Sequence, residues 1–156
     1  MKRLIFIFLL ISFGSFAQTK PSEKYLTKLF KKSIEQKKRN KISIPSNEWI
    51  INNLNDDYYK FDTLKVYNKN RNRFCEYVGW TFYRKDSFVL SKAHHCNEPA
   101  RNSVSKNEDW YKVKFRESEK NTILELYNSE KLISEFEVLA VSENDSEIEI
   151  TLLRIK

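Results

Sequence analysis

Two periodicities divide the chain. Between residues 20 and 41, Leu26, Leu29, Phe30 and Ile34 recur at spacings of three and four, the pattern of an amphipathic helix with one apolar stripe. Ser22, just after Pro21, is placed to act as its N-cap. From about residue 61 the period becomes 2, and strands are predicted near 61–67, 77–83, 87–92, 110–116, 121–127, 131–141 and 147–155. Polar turns of Asn, Asp, Lys and Ser separate them. Short strands at these intervals predict a mainly β fold, an antiparallel up-and-down barrel or sandwich of seven to eight strands behind an N-terminal amphipathic helix. Residues 45–55 fit two readings: a helix capped by Ser46 with Ile50, Ile51 and Leu54 on one face, or a first strand through Trp49-Ile50-Ile51.

Alternation assigns the faces of the strands. Tyr111, Val113 and Phe115 share one side of their strand and Lys112, Lys114 and Arg116 the other. Leu132, Phe136 and Val138 oppose Glu135 and Glu137, while Ile148, Ile150 and Leu152 oppose Glu147 and Glu149. The apolar sets are expected inside, with Val113, Phe115, Phe136, Val138, Ile148 and Ile150 buried. The charged sets read as the solvated outer face of a sheet. Gly79, within Val-Gly-Trp, is expected to mark a bulge, a sharp bend or the close approach of a neighbouring aromatic ring.

The N-terminus reads as an export signal. Lys2 and Arg3 precede an apolar run over residues 4–13, followed by small residues at Ser15 and Ala17. The run is about half the length needed to span a bilayer. Cleavage after Ala17 would leave an extracytoplasmic protein, periplasmic or secreted. No cysteine follows the run, so a lipid anchor at that point is not expected. The organisation predicted is a signal peptide over 1–17, a basic helical segment over 18–41 and a β domain over 42–156. Cys75 and Cys96 are the two cysteines, and in an oxidising compartment they are expected to form a disulfide. A metal site built from His94, His95 and Cys96 is the alternative, disfavoured because adjacent residues of an extended chain point to opposite faces.

Composition narrows the function. The 156 residues contain 28 Lys plus Arg and 21 Asp plus Glu, for a formal net charge of +7. Nine of the basic and two of the acidic residues lie between Lys20 and Lys41, so the basicity belongs to the helical segment. That helix either packs its apolar stripe on the domain, the favoured reading, or lies peripherally on an anionic membrane. Nucleic acid is not an expected partner, since no recognition motif accompanies the charge. Glycine occurs twice, at Gly14 and Gly79. That excludes Walker loops, dinucleotide fingerprints and glycine-flanked nucleophile elbows. No convergent catalytic set and no metal-ligand spacing stands out, so neither enzymatic activity nor a cofactor is expected.

The runs Trp110-Tyr-Lys-Val-Lys-Phe, Thr122-Ile-Leu-Glu-Leu, Phe136-Glu-Val-Leu and Ile148-Glu-Ile-Thr-Leu resemble the C-terminal half of small secreted lipocalin-like (calycin) proteins. Gly79-Trp80-Thr-Phe and Asp86-Ser-Phe-Val-Leu are similar to an earlier hairpin of that architecture, and Trp49 to its N-terminal tryptophan; Asn47 stands at the position of the family's usual glycine. The resemblance implies a barrel that binds a small hydrophobic ligand inside, with Trp80, Phe82, Tyr111 and Phe115 lining the cavity or filling it. The alternative is a protein-interaction or inhibitor module of the cell envelope, acting through exposed loops or the basic helix.

Overall fold

A computed structural model of the chain describes residues 21–39, 48–68, 74–96, 101–102, 106–119 and 121–156. The expected signal segment over 1–17 and its cleavage point lie outside these residues. Helix α1 (Glu23–Arg39) is followed by β1 (Glu48–Asn52), a 3-10 turn (Leu54–Asp56) and the single-turn helix α2 (Asp57–Lys60). Strands β2 (Thr63–Asn68), β3 (Glu76–Arg84), β4 (Ser87–His94) and β5 (Arg101–Asn102) come next. The chain ends with β6 (Trp110–Glu117), β7 (Thr122–Asn128), β8 (Lys131–Glu143) and β9 (Ile148–Arg154).

Eight of these strands close into an antiparallel barrel in the order β1-β2-β9-β8-β7-β6-β4-β3 and back to β1, while β5 pairs, among the described residues, with the Ala93–His94 end of β4. This is the mainly β architecture that the alternation predicts. Closure leaves no long strand edge exposed. The ring follows chain order except at one point, where β1 lies between β2 and β3. That placement explains the ambiguity of Trp49-Ile50-Ile51. Trp49 and Ile51 belong to the interior core, whereas Ile50 packs on the outside with Tyr67, Tyr77, Ala93 and Phe74. A strand buried on both faces has no alternation for a sequence reading to find.

The interior is occupied by rings. Trp49, Trp80, Phe82, Phe88 and Phe136 are each no more than 1% exposed, and Val113, Val138, Ile148 and Ile150 are buried among them; Phe115 is half-buried. A bulge at Leu139 on β8 reverses the phase of that strand, so that Val138 and then Val141 face the core while Leu139 is exposed. On the outer face, Arg116 of β6 reaches two carboxylates, Glu125 of β7 at 2.9 Å and Glu135 of β8 at 3.2 Å. Glu125 and Glu135 are direct cross-strand partners, and the guanidinium offsets their repulsion. The expected disulfide joins Cys75, just before β3, to Cys96, just after β4, with Cα atoms 5.0 Å apart.

Helix α1 closes one end of the barrel. Ser22 Oγ accepts from the Tyr25 N–H at 3.3 Å, as its capping position requires. Leu26, Leu29 and Phe30 are buried in the same core as the strands, each removal from water contributing about 1.5–3 kcal/mol. The Phe30 ring stacks on Phe82 at 4.2 Å and meets Trp49 edge-on at 5.3 Å. Thr122 Oγ1 donates to the Pro21 carbonyl at 2.7 Å, and Lys32 pairs with Glu143 at 3.0 Å.

Phe30→Ala is therefore expected to destabilise the protein by about 3–5 kcal/mol, whereas Lys32→Ala, which removes an exposed ion pair, should cost no more than about 1 kcal/mol. Urea denaturation of both variants checks this. Equal midpoints for Phe30→Ala and the parent would show that the helix is not part of the core.

Candidate functional site

The four residues expected to line a cavity all arise from inward positions of β3 and β6, and two further rings join them. Phe88 lies 4.9 Å from Trp80, 5.2 Å from Phe82 and 5.4 Å from Tyr111. Phe30 covers Phe82 and sits 6.3 Å from Phe115. Trp80 and Phe82 are thus packed between neighbours inside the barrel, while the half-buried Tyr111 and Phe115 each reach a separate surface cleft.

The end of the barrel away from α1 is closed by the turn between β1 and β2. Its Tyr58 is buried, and its carbonyl accepts from Arg154 Nη2. The Arg154 guanidinium lies 5.5 Å from the Tyr58 ring centroid and 4.9 Å from that of Phe136, close enough for cation–π attraction. Burial pushes the Tyr58 phenol well above its usual range. Among the described residues, Arg154 Nε is buried without an acceptor at hydrogen-bond geometry, and the group next to Trp80 Nε1 is the Tyr58 phenol.

Outside the barrel, Glu48 lies across Gly79. Its carboxylate accepts from Ser91 Oγ at 2.6 Å and from the Tyr77 hydroxyl at 3.4 Å, and that hydroxyl is also 3.4 Å from His95 Nε2. Glu48 is only 6% exposed. A Cβ on Gly79 would collide with this carboxylate and come within 2.7 Å of Ser91 Oγ. The close approach expected at the glycine exists, and the approaching group is a carboxylate rather than an aromatic ring. The backbone there is ordinary, since Gly79 has no positive φ. Ser91 of β4 and Tyr77 of β3 both donate to Glu48 of β1, so this largely buried network ties the three strands together on the outer face. The neighbouring histidines diverge, as adjacent strand residues must: His94 Nδ1 pairs with Glu76 at 3.0 Å while His95 faces Tyr77. Among the described residues no group of three or more His, Cys, Asp or Glu side chains is arranged to hold a metal ion.

A third locality is an open cleft of about 390 Å³ on the barrel surface. Tyr83 and Trp110 form its aromatic corner, with ring centroids 5.2 Å apart and planes inclined at 64°. They remain 43% and 46% exposed. Tyr83 is the residue passed over in the β3–β4 register, and such bulges re-aim a side chain. Trp110 opens β6, and the turn before it is clamped by Asn128, whose Nδ2 donates to the Glu108 carbonyl at 2.8 Å and the Trp110 carbonyl at 3.0 Å. Tyr111 borders the cleft; burial first, then Tyr59, Asp109 and Glu108, raises its phenol above the ordinary value. Asn107, Lys112, Ser129 and Glu130 supply the polar edge.

The sequence contained a signal for this corner. Trp110 is in phase with Lys112, Lys114 and Arg116, the set assigned to the outer face. Nothing local announces Tyr83, because its exposure depends on a bulge. Comparison with known proteins finds no matching family model, no matching curated protein and no matching solved structure.

Gly79→Ala is expected to cost about 1–3 kcal/mol, the price of an expelled or unsatisfied buried carboxylate, and to cost less in a Glu48→Ala background. Strict additivity of the two changes in a denaturation cycle would show that Glu48 is not what fills the glycine's missing side chain. Separately, the buried phenol of Tyr58 makes stability fall at alkaline pH. Above about 10 the unfolded tyrosine has lost its proton while the folded one keeps it, so the unfolded state binds fewer protons and gains on the native state. Tyr58→Phe should flatten this decline, and an unchanged alkaline slope would remove Tyr58 as its source.

Proposed function

We propose that this chain is a non-catalytic binding module whose working surface is the outside of a filled lipocalin-like barrel. The carrying observation is the interior, where six rings from α1 and four strands are in mutual contact and each is nearly inaccessible. A ligand of several heavy atoms would have to displace them, at a cost comparable to opening a cavity in a packed core. The exposed aromatic corner of Tyr83 and Trp110, set by a bulge and a side-chain clamp, is the best-prepared contact surface outside. Action outside the cytoplasm accords with the signal-like segment over 1–17 and with a disulfide between Cys75 and Cys96. Lys24, Lys28, Lys31 and Lys32 of α1 are solvated in this reading, and a peripheral membrane contact is not needed.

A small hydrophobic ligand held inside is the second reading. It is favoured by Arg154 Nε, a buried donor that a ligand's acceptor atom would satisfy.

Two measurements decide. A photo-reactive residue in place of Tyr83 is expected to cross-link a component of the host's envelope or medium, and the same residue in place of the exposed Leu139 is not. Native mass spectrometry of protein purified from its host is expected to give the bare chain mass. A retained small molecule that survives Trp110→Ala would overturn the surface-acting reading in favour of the interior one.

A further inference from the structure

The chemistry of the Tyr83–Trp110 cleft selects a class of ligand. Its floor is aromatic and its edge carries one cation, Lys112, one anion, Glu130, and two neutral polar groups, Asn107 and Ser129. Such a mixture offers no net attraction to a charged partner. The volume, about 390 Å³, falls within the range of small-ligand sites. A standard protein interface covers about 800 Å² per partner and is built around a wider patch.

We propose that this cleft binds a saccharide unit, a proposal that rests on the surface-acting reading above. A pyranose ring has one face of C–H groups, which complements the negative face of an indole, and a perimeter of hydroxyls that both donate and accept. The corner meets both demands: Trp110 supplies the stacking face, Tyr83 closes the side at 64°, and the polar edge provides donors and acceptors for hydroxyls. Tyr111 also lines the cleft, and its phenol adds a donor. The geometry is set before any ligand arrives, because Asn128 fixes the Trp110 turn and the bulge fixes Tyr83; preorganisation of this kind reduces the entropy lost on binding.

Ser129 also lines the cleft. It occupies the left-handed region at φ 52°, where glycine would sit without strain, in the hairpin turn that borders the cleft. A two-residue hairpin asks for a positive φ at this position, and the serine there places a hydroxyl-bearing side chain in the cleft lining.

The test uses the exposure of Trp110. Trp49 and Trp80 are buried at 0% and 1% exposure, so Trp110 is the tryptophan whose emission reports on a surface ligand. The full exported chain is titrated with chitotetraose, cellotetraose, mannotetraose and maltotetraose, following tryptophan fluorescence and, in parallel, calorimetry. A saturable response to at least one of them is expected. By calorimetry, Trp110→Ala should weaken it by about tenfold or more, Trp110→Phe should restore part of the affinity, and Ser129→Gly should weaken binding while the melting temperature holds or rises. Silence from all four saccharides, or a response that Trp110→Ala leaves intact, overturns the proposal. A cross-link from position 83 to a protein, together with that silence, removes the saccharide and leaves the surface-acting reading standing. Silence from the saccharides and no cross-link removes both.

Discussion

The contact between Phe30 and Phe82 is the constraint on which the architecture turns. An eight-stranded barrel is just wide enough to be filled by its own side chains, and here the strands supply large rings that leave one end to be covered from outside the sheet. Helix α1 does so by inserting Phe30 over Phe82 and against Trp49. The helix is therefore a structural stopper, and Lys24, Lys28, Lys31 and Lys32 lie at the surface because the opposite stripe is committed to the core. At the other end the turn carrying Tyr58 and the guanidinium of Arg154 perform the same closure with a single buried ring.

Closure at both ends has a consequence for strand order. With β1 inserted between β2 and β3, the shortest strand of the ring is covered on both faces, inside by the core and outside by Phe74, Tyr67 and Tyr77. Its Glu48 would then be an unpaired buried charge, were it not for Ser91 and Tyr77 as donors and the empty side of Gly79 as a slot. One glycine, one serine and one tyrosine on two adjacent strands make room for one carboxylate, and the nearby Cys75–Cys96 bridge holds the ends of those strands together. A small barrel with a ring-filled interior thus carries a polar anchor on its outer wall.

These features differ in how legible they are. The helix stripe, the Ser22 cap, seven of the strands and the cysteine pair are local or periodic properties, and local patterns carry them. The strand through Trp49-Ile50-Ile51 was undecidable because two-sided burial erases the period that distinguishes strand from helix. The bulge at Leu139 was invisible because a single inserted residue shifts phase without a compositional mark. The occupant of the Gly79 slot comes from β1, far away in sequence, and no local pattern names it. Whether the aromatic interior was hollow or filled depended on Phe30, a residue whose helical pattern predicts burial but not the partner it is buried against.

The same logic separates the outer cleft from the interior. Burial of an aromatic ring is what the hydrophobic effect supplies by default, so the rings inside the barrel need no further reason than closure. Tyr83 and Trp110 keep nearly half their surface in water, as Tyr59 and Phe61 do, but they also pack on each other, and Asn128 and a bulge fix the backbone beneath them. Fixing a half-exposed ring costs conformational entropy, which the burial of its other half partly offsets. The core is complete without them, and the corner they form is where the saccharide proposal places its ligand.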